Sequence, residues 1–462
     1  MHIWIGVENF AKIESAKICV NNYTILVGPN NSGKTFFMQL VQGMSKKLAY
    51  LIDESLMSTL LVNECEAYKE YVINSSNVVE FVSHINSKLA LEKENIVKEI
   101  FGKNIFIEKL YVDILIEKNT EYSIVMIDSS KNGAGENIKL FTEGFEPFAT
   151  EIFSKMQMGI ISIVRKKSID GKKIKFISIQ GSFDNDEVEA LKRAFRSIIE
   201  PESLFLPASR TGLLLLYREF FANKTDNELS FVIKENKLVK KKENYANLTQ
   251  PLYEFLRFLQ TYSEREDMGK NFNKELDFFE EHLIEGHISV DKQGILSYSS
   301  KNENNRVPMY LASSMINEVA PLILALTSQN LYNRLIIDEV EASLHPQKQL
   351  ELVRFLNRLS NKGMQLIVST HSDTFVSKLN NLYVLSEMVK ENGDNVLKQF
   401  NLEKEDLISP EKLFVYEFVN QSSGKSVVNE IKGNKKMGYQ FDLFTASAMH
   451  LYEEANKLGE IQ

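Results

Sequence analysis

Residues 28–35 read Gly-Pro-Asn-Asn-Ser-Gly-Lys-Thr, and no other stretch restricts the possible folds of this chain as strongly. The octapeptide fits G-x-x-x-x-G-K-[ST] at every fixed position. The five residues before it, Tyr23 to Val27, are an apolar run that predicts a buried strand, and residues 36–42 carry the apolar spacing of a helix. A strand, a glycine loop and a helix in that order turn backbone N–H groups inward at a helix N-terminus, where an anion is favoured. The loop therefore reads as a phosphate cradle made of Gly28, Asn30, Asn31, Ser32 and Gly33. Lys34 is expected on the β- and γ-phosphates of ATP, and the Thr35 hydroxyl on Mg2+.

A second half of such a site follows far along the chain. Leu335-Ile336-Ile337-Asp338-Glu339 is a short apolar strand ending in two carboxylates. Asp338 suits a Mg2+ ligand, and Glu339 one step on suits the base that activates a water. Residues 365–370 form another predicted strand, ending at His371, where an imidazole can reach a γ-phosphate. Residues 204–206 predict a strand that ends in Pro207-Ala208-Ser209-Arg210, the position at which open α/β sheets place ligand-binding residues. Arg210 is accordingly a candidate phosphate or interface residue, with a surface turn as the other reading.

The rest of the chain is read as the setting of that site. Its 462 residues are 44% hydrophobic and 25% charged, an ordinary globular balance; the sequence has no run of eighteen apolar residues, and it opens on Ile3-Trp4-Ile5 without a basic leader, so a cytoplasmic chain outside the membrane is expected. Cys19 and Cys65 are the only cysteines and lack zinc-ligand spacing. The net charge of -8 argues against a wholly basic nucleic-acid surface and leaves room for a local one. Residues 160–167 and 172–177 predict a hairpin with Arg165, Lys166, Lys167, Lys172, Lys173 and Lys175 crowded near its tip, which suits either phosphate contact or a solvated edge. Helical periodicity predicts an insertion over 45–109 and a second over 245–285. An N-cap is expected at Asp184 or Asn185, and a terminal helix over residues 444–458. The divided domain carrying the site is expected over 1–44, 110–244 and 286–389, with 390–462 as a C-terminal extension.

These motifs together resemble the ABC-type ATPases of the SMC, RecF and OLD group, in their prokaryotic defence-associated branch. The resemblance rests on residues 26–35, Leu206-Pro207-Ala208-Ser209-Arg210, Leu311-Ala312-Ser313-Ser314-Met315, residues 336–346 and Ser369-Thr370-His371-Ser372. It implies an α/β P-loop NTPase fold of the ABC/SMC-head type, with a mostly parallel sheet, an antiparallel β part and helical insertions. It also implies a signature motif whose Ser313 and Ser314 cap the γ-phosphate held by another subunit, a D-loop over 341–345 and a switch histidine at His371. ATP would then join two copies as a homodimer or higher oligomer. Met315 replaces the usual glycine of the signature and Val340 a proline, which implies slow or conditional hydrolysis. Gln180, which follows a predicted strand, is the candidate for the remaining Q-loop glutamine.

In function the chain resembles the ATPase subunits of two-gene antiphage systems such as Septu and PARIS. This implies a sensor or scaffold whose effector, a nuclease, is encoded nearby as a separate chain, since residues beyond Val384 carry no nuclease motif. A RecF-like DNA-repair ATPase using the basic hairpin on DNA and a non-catalytic ATP-gated binding module are the alternatives.

Overall fold

The structure, a computed structural model, describes the chain except residues 46, 132–133, 143–158, 169–173, 183–185, 229–230, 235–236, 241–247, 266–271, 292–293, 302–305, 442–448, 450–451 and 459–462. Two compact units divide it. One comprises Met1–Glu8, Gly43–Ile96 and Phe106–Glu202, and the other Asn9–Gln42, Val97–Ile105 and Ser203–Gln462.

The second unit is built on a sheet whose strands run, in spatial order, Ser203–Leu206, Arg334–Ile337, Gln365–Ser369, Tyr23–Val27 and Leu413–Asn420, all parallel. Ser426–Ile431 then turns back antiparallel to Leu413–Asn420, and Ile13–Cys19 lies parallel beside it. The parallel strands are continuous apolar runs because both of their faces are covered. Every residue of Tyr23–Val27, Ser203–Leu206 and Arg334–Ile337 is buried. One core joins them to the helices Gln250–Gln260, Ser314–Thr327, Pro346–Asn361 and Asp373–Asn392, through residues such as Phe255, Val319, Leu352 and Leu379. The strand Gln365–Ser369 separates the P-loop strand from the strand that ends at Asp338, so the two halves of the site face each other across its tip.

The C-terminal stretch differs from the expected extension. Leu413–Asn420 is an interior strand, registered from Leu413 beside Tyr23 to Glu417 beside Val27. Leu413, Val415, Tyr416 and Phe418 are buried there, as an apolar run placed between two neighbours must be. Of the expected terminal helix, residues 444–448 and 450–451 lie outside the described ones; 452–458 are helical.

In the first unit, His2–Phe10 pairs antiparallel with Lys109–Leu115. An antiparallel sheet runs Leu61–Glu64, Tyr68–Asn74, Thr120–Asp128, Ile160–Ser168 and Ile174–Ser182. The helical insertion expected over 45–109 is thereby corrected to a mixture of helix and strand. Helical spacing does produce Glu54–Leu60 and the 24-residue Val78–Phe101, but Tyr68–Asn74 between them is aromatic and β-branched and pairs with Thr120–Asp128. The amphipathic helix Glu187–Ile199 packs on Thr120–Asp128, Ile160–Ser168 and Ile174–Ser182. Asp184 and Asn185, the expected caps, lie outside the described residues, and Asp186 caps that helix by accepting from the N–H groups of Val188 and Glu189.

Candidate nucleotide site

The P-loop is shaped by three positive backbone angles, φ 145° at Gly28, 60° at Asn31 and 102° at Gly33. Glycine is required at two of these points by space as well as by angle. A Cβ on Gly28 would stand 2.7 Å from the carbonyl oxygen of Phe418, and one on Gly33 would stand 2.7 Å from Cγ1 of Ile13. The helix Lys34–Met44 begins directly after the loop. Lys34 Nζ folds back over it, donating to the carbonyls of Gly28 and Pro29 at 2.9 Å and, more distantly, to Ser32 Oγ at 3.4 Å. Burial pushes the Lys34 ammonium down to about 8, against the pull of Asp338, Glu339 and Glu341. Asn30, Asn31 and Thr35 are exposed.

Asp338 caps the end of Arg334–Ile337 and is 4% exposed. Its two carboxylate oxygens are used separately: Oδ2 accepts from Thr35 Oγ1 at 2.7 Å and Oδ1 from Ser369 Oγ at 2.6 Å. Ser369 Oγ in turn accepts from the Glu339 N–H at 2.8 Å. Thr35 thus joins the two halves directly, and the last side chain of the strand between them braces Asp338 and Glu339. A hydroxyl and a carboxylate in contact are hard oxygen donors of the kind Mg2+ takes, with phosphate and water oxygens completing its shell. Among the described residues no group of three or more His, Cys, Asp and Glu could hold a metal without such help.

Glu339 has φ 46°, a left-handed backbone conformation that residues other than glycine rarely adopt, and its side chain is 47% exposed. His371 Nε2 lies 4.0 Å from Glu339 Oε1. The His371 main-chain N–H donates to Glu341 Oε1 at 2.6 Å, and Glu341 Oε2 is a buried oxygen with no partner. Burial, reinforced by the Lys34 charge, holds the His371 imidazole below its ordinary value, so it is neutral at pH 7.

Ser313 and Ser314 are exposed at the start of the helix Ser314–Thr327. Ser313 is its N-cap, with Oγ accepting from the Ile316 N–H at 3.3 Å. Asn317 Nδ2 steadies the preceding turn by donating to the carbonyls of Met309 and Ala312. Met315, the departure from glycine, packs its side chain against the core. Downstream of the carboxylates, Leu344 is buried and His345 caps the helix Pro346–Asn361.

Arg210 is placed differently from the expected phosphate residue. It is 1% exposed, and its guanidinium is engaged with main-chain carbonyls and Glu318, which leaves it a supporting position beneath the site. Gln180, the Q-loop candidate, lies inside Ile174–Ser182 in the first unit, with its amide near Ser178 Oγ. The hairpin cations are partly neutralised. Arg165, 5% exposed, and Lys167 both bind Glu70, and Lys166 lies over the Tyr122 ring. The tip with Lys172 and Lys173 lies outside the described residues. No helix among the described residues is long and apolar enough to cross a membrane.

Residues 1–376 match the family described as the AAA ATPase domain. Similar solved structures include the SMC head domain from Thermotoga maritima, 11% identical with a TM-score of 0.33, covering 94% of this chain and 100% of that one. A SmcHead bound to the C-winged helix domain of ScpA is 11% identical with a TM-score of 0.36, covering 93% of this chain and 97% of that one. A Smc head domain with an extended coiled coil, bound to the C-terminal domain of ScpA derived from Pyrococcus furiosus, is 12% identical with a TM-score of 0.32 and covers 98% of each chain. No curated protein matches the chain.

Proposed function

The chain belongs to the AAA ATPase domain family, and from that premise we propose that it binds Mg-ATP, hydrolyses it and joins a second copy of itself around the nucleotide. The observation that carries this reading is the chain of contacts from Thr35 through Asp338 and Ser369 to the Glu339 N–H. These contacts support the reading because they join the glycine loop to the two carboxylate residues. Lys34 and the loop N–H groups hold the β- and γ-phosphates, and Glu339 takes a proton from water as that water attacks the γ-phosphorus and the bond from that phosphorus to the bridging oxygen breaks, releasing ADP. Neutral His371 beside Glu339 can donate one hydrogen bond to the γ-phosphate without adding a charge. Mg2+, held by Thr35 and Asp338, would neutralise charge that develops on the phosphates.

Exposed Ser313 and Ser314 support the joining of two copies, because a capped helix start open to solvent offers hydroxyls and N–H groups to a phosphate on another molecule. For the biological setting we propose the sensor or scaffold subunit of an antiphage defence system whose nuclease is a separate, neighbouring gene product. That part rests on the resemblance of motifs.

Phosphate release with Mg-ATP, read beside sedimentation with and without nucleotide, tests the reading. Ser313→Arg is expected to keep the fold and ATP binding while lowering turnover at least tenfold and removing ATP-dependent association, because a long cation would fill the space of the partner's γ-phosphate. Turnover at the unaltered rate in this variant would show that Ser313 meets no second nucleotide.

A further inference from the structure

Both peptide planes that flank Glu339 are held by side chains of the second unit. Its N–H is held by Ser369 Oγ at 2.8 Å. The carbonyl of Asp338, in the plane before it, accepts from Arg210 Nη1 at 2.8 Å, and its own carbonyl accepts from Arg210 Nη2 at 3.2 Å. One guanidinium therefore spans both planes whose relative rotation places Glu339 at φ 46°. A left-handed conformation costs about 1–3 kcal/mol in a non-glycine residue and persists only where its surroundings over-determine it.

The other side of the same guanidinium grips the helix that begins at Ser314. Arg210 Nε donates to the Glu318 carbonyl at 3.0 Å, and Nη2 lies 3.0 Å from Glu318 Oε1 in an ion contact that is not aligned as a hydrogen bond. Glu318 is itself 3% exposed, and its Oε2 accepts from the N–H and hydroxyl of Thr211. Pro321 stands inside this helix and removes the N–H that the Asn317 carbonyl would accept, so the ladder is already interrupted next to the grip. Arginine suits the position because a planar fork reaches several acceptors at once, as an ammonium cannot.

We infer that Arg210 is a positioning residue for the Glu339 carboxylate: it holds Glu339 in the left-handed conformation that aims the base and ties that conformation to the helix carrying Ser313 and Ser314. The inference rests on the ATPase reading and names a residue that acts through Glu339 without touching nucleotide.

Arg210→Ala would leave the buried Glu318 carboxylate without its countercharge and could unfold the unit, so the test uses the double variant R210M/E318M, in which a buried ion pair is exchanged for apolar side chains of similar length. Arg210→Lys serves as the conservative comparison. With a melting temperature close to that of the unaltered protein, the double variant is expected to bind a fluorescent ATP analogue within about threefold of normal while kcat falls about 10- to 100-fold at unchanged KM, the effect of a misaimed group. Arg210→Lys should retain an intermediate kcat. A role confined to stability would lower melting temperature and leave kcat of the folded fraction alone, and that result overturns the inference. Backbone hydrogen exchange of residues 338–344 in nucleotide-free protein is a readout independent of turnover. Faster exchange in the folded double variant is expected, and unchanged exchange overturns the inference. An unaltered protein with no ATP turnover defeats the ATPase reading, and the exchange result still decides whether Arg210 holds the loop.

Discussion

Glu339→Gln is expected to stop ATP turnover while leaving ATP bound. The amide keeps the length of the side chain and its capacity to hydrogen-bond a water, but it cannot take the proton, and general-base catalysis supplies about 10²–10⁴-fold in rate. Nothing that holds the phosphates is altered: Lys34 still covers the loop, and Thr35 still meets Asp338. The nucleotide-bridged assembly should therefore accumulate, visible in sedimentation as a heavier species that persists with Mg-ATP. Asp338→Asn should behave otherwise, since it weakens the oxygen set expected to hold the metal and leaves the bridged species scarce. Turnover equal to that of the unaltered chain in Glu339→Gln would remove Glu339 from the chemistry. Lost turnover with no change in association would keep the base and discard the nucleotide-bridged dimer.

Lys34→Ala is expected to weaken ATP binding by roughly two orders of magnitude or more, on the order of 3 kcal/mol, the usual loss when one member of a buried hydrogen-bonded charge pair is removed. With its ammonium pushed down to about 8, Lys34 is still mostly protonated at pH 7, so the charge is available when phosphate arrives. Its Nζ already rests on the carbonyls of Gly28 and Pro29, within the loop that would hold the phosphates, and little ordering remains to be done on binding. Because the helix Lys34–Met44 and the glycine angles do not depend on the ammonium, the variant should fold. Calorimetric titration with ATP decides the matter, and an unchanged affinity would mean that the loop binds something other than triphosphate.

The parts of the site that can be read from sequence are those whose geometry is local. Gly28 to Thr35 announces its own strand, loop and helix; Asp338, Glu339 and His371 each follow an apolar run that ends where a strand end must be. Ser313 is legible as a helix start because an N-cap involves neighbours three residues away. Ser369, which links Asp338 to the Glu339 N–H, carries no such local signal beyond closing the strand before Thr370 and His371. Its role emerges only once the order of strands puts it between Tyr23–Val27 and Arg334–Ile337. Arg210 stands out for its place after a strand, but its neighbours do not follow from that place, since nothing local shows that Asp338 and Glu318 converge on it. The strands Tyr68–Asn74 and Leu413–Asn420 are hidden in another way. Helical spacing on either side masks the first, and its distance from the motifs hides the second.

Leu413–Asn420 also sets the order of events during synthesis. The P-loop strand is made long before its neighbours on the two sides, Gln365–Ser369 and Leu413–Asn420. Until the ribosome has delivered both, Tyr23–Val27 is an apolar strand with open edges, the kind of surface that pairs with the wrong chain. Contacts between residues so far apart close slowly, since a long loop must be ordered before they form. The nascent chain thus carries its nucleotide loop in an unfinished sheet until Leu413–Asn420 is made, and that strand also brings the backbone of Phe418, whose carbonyl lies against Gly28.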